Sequence, residues 1–167
     1  MMKIWILLLP CIYIACGASQ EEAQLHHNQI MVCQHRVIES FEQLDKSLSD
    51  STGYRQLYWE YDSVHFFIRQ MQNILDTIKA IDVGDSSFKM ASRQFAQSAL
   101  ELHSQLYPPF LDAFRKYHAL GSDPDSVAMV ATWEKIRNHK NQMIIAIKKS
   151  QEEFVKKYNL EIYTSPQ

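Results

Sequence analysis

Residues 57–78 read LYWEYDSVHFFIRQMQNILDTI, and this stretch decides the fold. Leu57, Tyr61, Val64, Ile68, Met71, Leu75 and Ile78 recur at alternating spacings of four and three. At about 3.6 residues per turn, those positions share one apolar stripe through roughly six turns of helix. A stripe this long cannot bury itself. It needs partner helices of matching length, and three other segments supply them.

Upstream, the spacing predicts a helix from Glu21 to Leu48. Ile30, Cys33 (or Gln34), Val37, Phe41, Leu44 and Leu48 keep the same rhythm, and Glu21 and Glu22 favour its positive N-terminus. The cluster Ser49-Asp50-Ser51-Thr52-Gly53 breaks the pattern and reads as a turn. The second helix is expected over Tyr54 to Ile81, with Gly84 as its stop. Asp85 or Ser86 can cap the third, whose stripe is Phe88, Ala91, Phe95, Ala99, Leu102 and Leu106.

Pro108 and Pro109 lack N–H groups and crowd the preceding turn, so the third helix is expected to kink there. Its stripe resumes with Phe110, Phe114 and Tyr117. Gly121-Ser122-Asp123-Pro124 is a stop followed by a start. The fourth helix should reach Tyr158, with Met129, Trp133, Ile136, Met143, Ile147 and Phe154 facing inward. Lys140 and Ser150 interrupt that stripe and imply a looser seam or a polar layer. The expectation is an all-α, up-down-up-down four-helix bundle in one domain over residues 20–163, its third helix kinked at Pro108-Pro109.

The totals agree. A chain of 167 residues is long enough for one proper core, and only four glycines argue against a turn-rich sheet fold. Net charge is −2; without residues 1–16, which hold Lys3, 16 bases face 19 acids, or −3. Such mild acidity speaks against nucleic acid, which attracts a basic face.

The first residues carry an address. Lys3 followed by the apolar run Ile4 to Ala15 reads as a secretory signal, too short to span a bilayer comfortably. Tyr13-Ile14-Ala15-Cys16-Gly17 resembles a bacterial lipobox, in which Cys16 would be acylated, by palmitate or a similar chain, and become the new N-terminus. Ala15 and Gly17 suit that pattern, and Tyr13 departs from its usual leucine. The alternative is ordinary signal cleavage, with Cys16 discarded and the protein secreted. Either way Cys33 is left alone in the domain, without an internal disulfide, and is read as a small core residue.

No catalytic constellation emerges. No glutamate is followed by histidine three residues on, Cys-x-x-Cys-His is absent, and no Gly-x-Ser-x-Gly turn occurs. Asp62-x-x-His65 is a single weak approach to a metal spacing. His26 and His27 are adjacent and point about 100° apart on a helix. The seven histidines are read as solvent-facing or satisfied, and Met31, Met71, Met90, Met129 and Met143 as core filler. Tyr54, Tyr58, Trp59, Tyr61, Phe66 and Phe67 crowd the start of the second helix on more than one face, and Tyr54, Tyr58 and Trp59 mark a candidate partner-facing patch.

Three features together resemble a known family: the signal segment ending at Cys16, Gly84-Asp85-x-x-Phe88-Lys89, and Gln151-x-x-Phe154-x-x-x-Tyr158-Asn159-Leu160. The chain resembles the uncharacterised, all-helical bacterial exported lipoproteins known as LIC-type surface proteins. The resemblance implies an envelope location and a bundle fold, and brings no catalytic residues. Physically, Phe88 and Phe154 fill core positions and Asn159 can end a helix in the left-handed region. The expected function is that of a non-enzymatic, lipid-anchored envelope protein, with no cofactor and no metal, held to the membrane through Cys16 and binding a protein partner. A small-ligand or metal-binding bundle, or an unlipidated secreted helical protein, is the alternative.

Overall fold

A computed structural model describes residues 19–50, 54–78, 86–120 and 123–161. Cys16 with the signal segment, Gly84, Asp85 and the Gly121-Ser122 turn lie outside the described residues, as does the side chain of Tyr54. The elements are α1 (Gln20–Ser49), α2 (Tyr54–Thr77), α3 (Ser87–Glu101), a π turn (Leu102–Leu106), α4 (Tyr107–Leu120) and α5 (Asp123–Tyr158). Because α3, the π turn and α4 follow without a break, the chain makes four long helices, an all-α four-helix bundle.

Side-chain contacts set the directions. His27 early in α1 meets Phe88 at the start of α3 and Phe154 near the end of α5. Asp45, late in α1, bonds Tyr107 and Lys140. In α2, Tyr61 meets His103 while Asp76, farther along, meets Arg93. Thus α1 runs with α3–α4, and α2 and α5 run against them. The up-down-up-down order follows.

Helix ends are built from local chemistry. Ser19 caps α1, and Glu22 reaches back to the Ser19 N–H at 3.0 Å, closing a capping box. The helix therefore starts one residue before Glu21, from a Ser-x-x-Glu signal that was legible at Ser19-Gln20-Glu21-Glu22. At the far end of α5, Asn159 adopts φ 50°. Its N–H bonds the Lys156 carbonyl, and the Leu160 N–H bonds the Val155 carbonyl at 3.0 Å. That six-to-one closure is a Schellman motif, with Leu160 buried as its apolar plug. Gln20 donates to the Asn159 carbonyl at 2.7 Å and fastens this end to α1.

The proline pair is accommodated by a different device from a bare kink. One turn before Pro108, the helix widens into the π turn, and the Tyr107 N–H bonds the Leu102 carbonyl five residues back. The wider turn relieves the clash that proline rings impose on preceding carbonyls. It also rephases the stripe. Tyr107 becomes fully buried where Leu106 was expected, and Tyr117 lies at the surface. Well before the π turn, and independently of it, Ser92 is fully buried while Ala91 is only partly so. Met90, expected in the core, is also exposed; Ser86 donates a hydrogen bond to its sulfur.

The remaining stripes hold. Leu57, Val64, Ile68, Met71 and Leu75 are buried, as are Ile30, Cys33, Val37, Phe41, Leu44 and Leu48. Burial pushes the Cys33 thiol above its ordinary range, so it behaves as a core residue.

Candidate functional site

On α2, the residues opposite the buried stripe form a second stripe. Arg55, Trp59, Asp62 and Phe66 recur at spacings of four, three and four, so they share one outward face, with Tyr58 beside it. Tyr58 is 53% exposed, Trp59 67% and Phe66 55%. Phe66 lies edge-on to Phe67, with ring centroids 5.4 Å apart. Arg55, Gln56, Tyr58, Trp59 and Asp62 enclose a shallow surface groove. Of the three aromatics expected in a partner-facing patch, Tyr58 and Trp59 are thus outward. Phe66 joins them, a residue that helical periodicity from Trp59 could have picked out.

Inside the bundle, polar groups meet one another across helices. Tyr107 donates from its hydroxyl to Asp45 Oδ1 at 2.6 Å, and Lys140 bonds Oδ2 of the same carboxylate. Phe41 stacks on Tyr107 at 5.7 Å, and the Lys140 ammonium lies 5.8 Å from the Phe41 centroid. Burial, and next to it the Asp45 carboxylate, holds the Tyr107 phenol well above its ordinary 10, so it stays a donor. Lys140 therefore marks a polar layer, one of the two readings its position in the stripe allowed.

The π turn carries a second polar contact. His103 and Tyr61 stack with centroids 3.9 Å apart. The His103 Nε2–H donates to the Tyr61 carbonyl at 3.0 Å, and the Tyr61 hydroxyl donates to the His103 carbonyl at 3.1 Å. Burial lowers the His103 pKa, against the pull of the Tyr61 carbonyl. His65 lies 5.3 Å from the His103 ring. Asp62 and His65 are thus near a histidine, although among the described residues no group of three His, Cys, Asp or Glu is placed to hold a metal ion.

His26 and His27 are both buried, so of the two readings, solvent-facing or satisfied, the first does not apply to them, and His27 meets the second. His27 lies parallel to Phe154 at 6.3 Å and stacks on Phe88 at 5.7 Å. Its Nδ1 pairs with the Asn28 side-chain oxygen at 3.3 Å and its Nε2 with the Gln151 amide at 3.4 Å. One neutral tautomer satisfies both, with Nδ1 donating and Nε2 accepting. Desolvation lowers the His27 pKa, offset in part by Asn28. These rings are flat packing units within an aromatic cluster that nothing in the sequence spacing announced.

Where α1 ends and α5 begins, Leu48, Ser49, Phe110, Phe114, Met129, Val130 and Trp133 line a cavity of about 210 Å³. Phe110 faces Trp133 at 5.2 Å and Phe114 at 6.1 Å, both tilted. No helix among the described residues is long and apolar enough to cross a membrane. No protein-family pattern, curated protein or solved structure matches this chain significantly.

Proposed function

We propose that this chain is a non-enzymatic, exported envelope protein, lipid-anchored through Cys16, that acts by binding another protein through the outer face of α2. The observation that carries the reading is the Arg55-Trp59-Asp62-Phe66 stripe with Tyr58. Tryptophan, tyrosine and arginine dominate the energetics of protein interfaces, and large aromatics exposed together on one helix face suit a binding surface. The buried polar side chains contrast with it. Gln34 donates to Ser92, Tyr61 and His103 bond each other, and Asp45 holds Tyr107 and Lys140, so these groups serve the fold.

The anchor would sit at the opposite end from the start of that face. Ser19 opens α1 three residues after Cys16, while Tyr58 and Trp59 lie just past the other end of α1. At about 1.5 Å per residue, the 30 residues of α1 span about 45 Å. An acylated Cys16 would thus hold the aromatic face well clear of the lipid. The resemblance to exported helical lipoproteins supports the same location.

Intact mass and the N-terminal peptide, measured on membrane and soluble fractions, test the anchor. A chain beginning at acylated Cys16 supports it; a soluble chain beginning near Ala18 replaces it with a secreted protein. Photo-crosslinking from position 59 in intact cells tests the surface. One discrete adduct, lost with Phe66→Ala, is expected; labelling that ignores Phe66→Ala rules the face out.

A further inference from the structure

The cavity at the end of the bundle is separate from the α2 face and has its own chemistry. Three elements build it: Leu48 and Ser49 from α1, Phe110 and Phe114 from α4, and Met129, Val130 and Trp133 from α5. Leu48 and Phe110 are buried and form its floor, while Val130, 56% exposed, stands at its rim. We propose that this cavity binds a small neutral aromatic molecule bearing one hydrogen-bond donor, of the phenol or indole type.

Size, shape and polarity each narrow the ligand. A cavity of about 150 Å³ lined by aliphatic and aromatic side chains accommodates benzene. The present one, at about 210 Å³, has room for a substituted or fused ring and is smaller than a drug-sized pocket. Phe110, Phe114 and Trp133 offer tilted rings, the geometry in which another aromatic ring packs edge to face or offset. Met129 adds a polarisable thioether. Among the described residues no ionisable side chain lines the cavity, and the charges deeper in the bundle, Asp45 and Lys140, are already paired. A charged ligand would lose its hydration here without compensation.

Among the described lining residues, Ser49 alone carries a hydroxyl. Its hydroxyl proton is committed to the Asp45 carbonyl at 3.0 Å. The oxygen can therefore only accept, which selects a ring carrying an O–H or N–H.

Ligand-observed fluorine NMR tests this on the mature chain as its host makes it, in lipid nanodiscs where it is acylated. The probes are 4-fluorophenol, fluorobenzene and 1-hexanol as competitor. Saturable binding is expected, with 4-fluorophenol several-fold tighter than fluorobenzene. Val130→Phe places a ring over the mouth and should weaken both probes by about tenfold or more. Ser49→Ala, at an exposed position, should bring 4-fluorophenol down to the fluorobenzene level and leave fluorobenzene unchanged. Circular dichroism of both variants confirms the helices. Absence of saturable binding, or equal binding by wild type and a folded Val130→Phe, overturns the site. Equal affinity for the two aromatics overturns the donor requirement and with it the ligand class. Tighter binding of 1-hexanol than of either ring assigns the cavity to an alkyl chain and sinks the proposal.

Discussion

Two layers of one bundle bury polar groups in opposite ways. Near the start of α1, His26 and His27 are packed among Phe88, Phe154 and Tyr158, and His27 is held as a neutral ring. Near its end, Asp45 is paired with Lys140 and Tyr107. The first layer lowers desolvation cost by staying uncharged, and the second offsets that cost with a charge partner and a phenol. The difference teaches that a histidine on an apolar stripe can act as an aromatic, whereas a lysine there needs a carboxylate brought by another helix.

The comparison breaks most visibly at Phe154, which touches His26, His27, Phe88 and Tyr158. Phe154→Ala should cost about 3–5 kcal/mol in urea unfolding, since a deleted core aromatic leaves a cavity. A loss under 1 kcal/mol would mean that the cluster is loosely packed.

The charged layer comes next. Asp45→Ala strands both the Tyr107 hydroxyl and the Lys140 ammonium, and should cost about 2–4 kcal/mol. Lys140→Met removes one partner but leaves the Tyr107 bond intact. Its side chain is only 15% exposed, so an apolar replacement packs, and the loss should be about 1–2 kcal/mol. A double-mutant cycle reads the coupling directly; a value near zero would make the pair incidental.

The layers also separate by pH. The folded-state pKa values of His27 and His103 lie below the ordinary 6.5. The unfolded chain therefore binds more protons just below that value. Their stability is fully present above 6.5 and is lost as pH falls into the window beneath it. Tyr107 works in the other direction. Its raised folded pKa leaves stability intact below 10 and removes it as pH climbs beyond. Melting curves should fall on the acid side in wild type, less steeply in His103→Asn. They should fall on the alkaline side less steeply in Tyr107→Phe.

The smallest effect belongs to the surface. Trp59→Ala should change stability by less than about 0.5 kcal/mol, because the ring is two-thirds exposed. A larger loss would turn Trp59 into a structural residue and remove it from the binding face.

Much of this was legible in the chain. The stripe from Leu57 to Leu75 and its three partners followed from spacing, and Asn159 from its place after a helical run. Tyr58 and Trp59 were visible as aromatics beyond the stripe's needs, and Phe66 could have been added by the same periodicity. The cavity beside Trp133 was not legible, because it exists only where α1, α4 and α5 meet.

By itself, the sequence determined the four helices, their order, and most of the residues that face inward in α1, α2 and α5, because helical periodicity is a local property of side-chain spacing. Tertiary structure alone decided that a π turn before Pro108 would rotate Tyr107 into the core. It decided too that Asp45 would find Lys140, 95 positions away, and that His27 would lie between Phe88 and Phe154. Those outcomes depend on the distance and phase between separate helices, which no spacing within a single helix encodes.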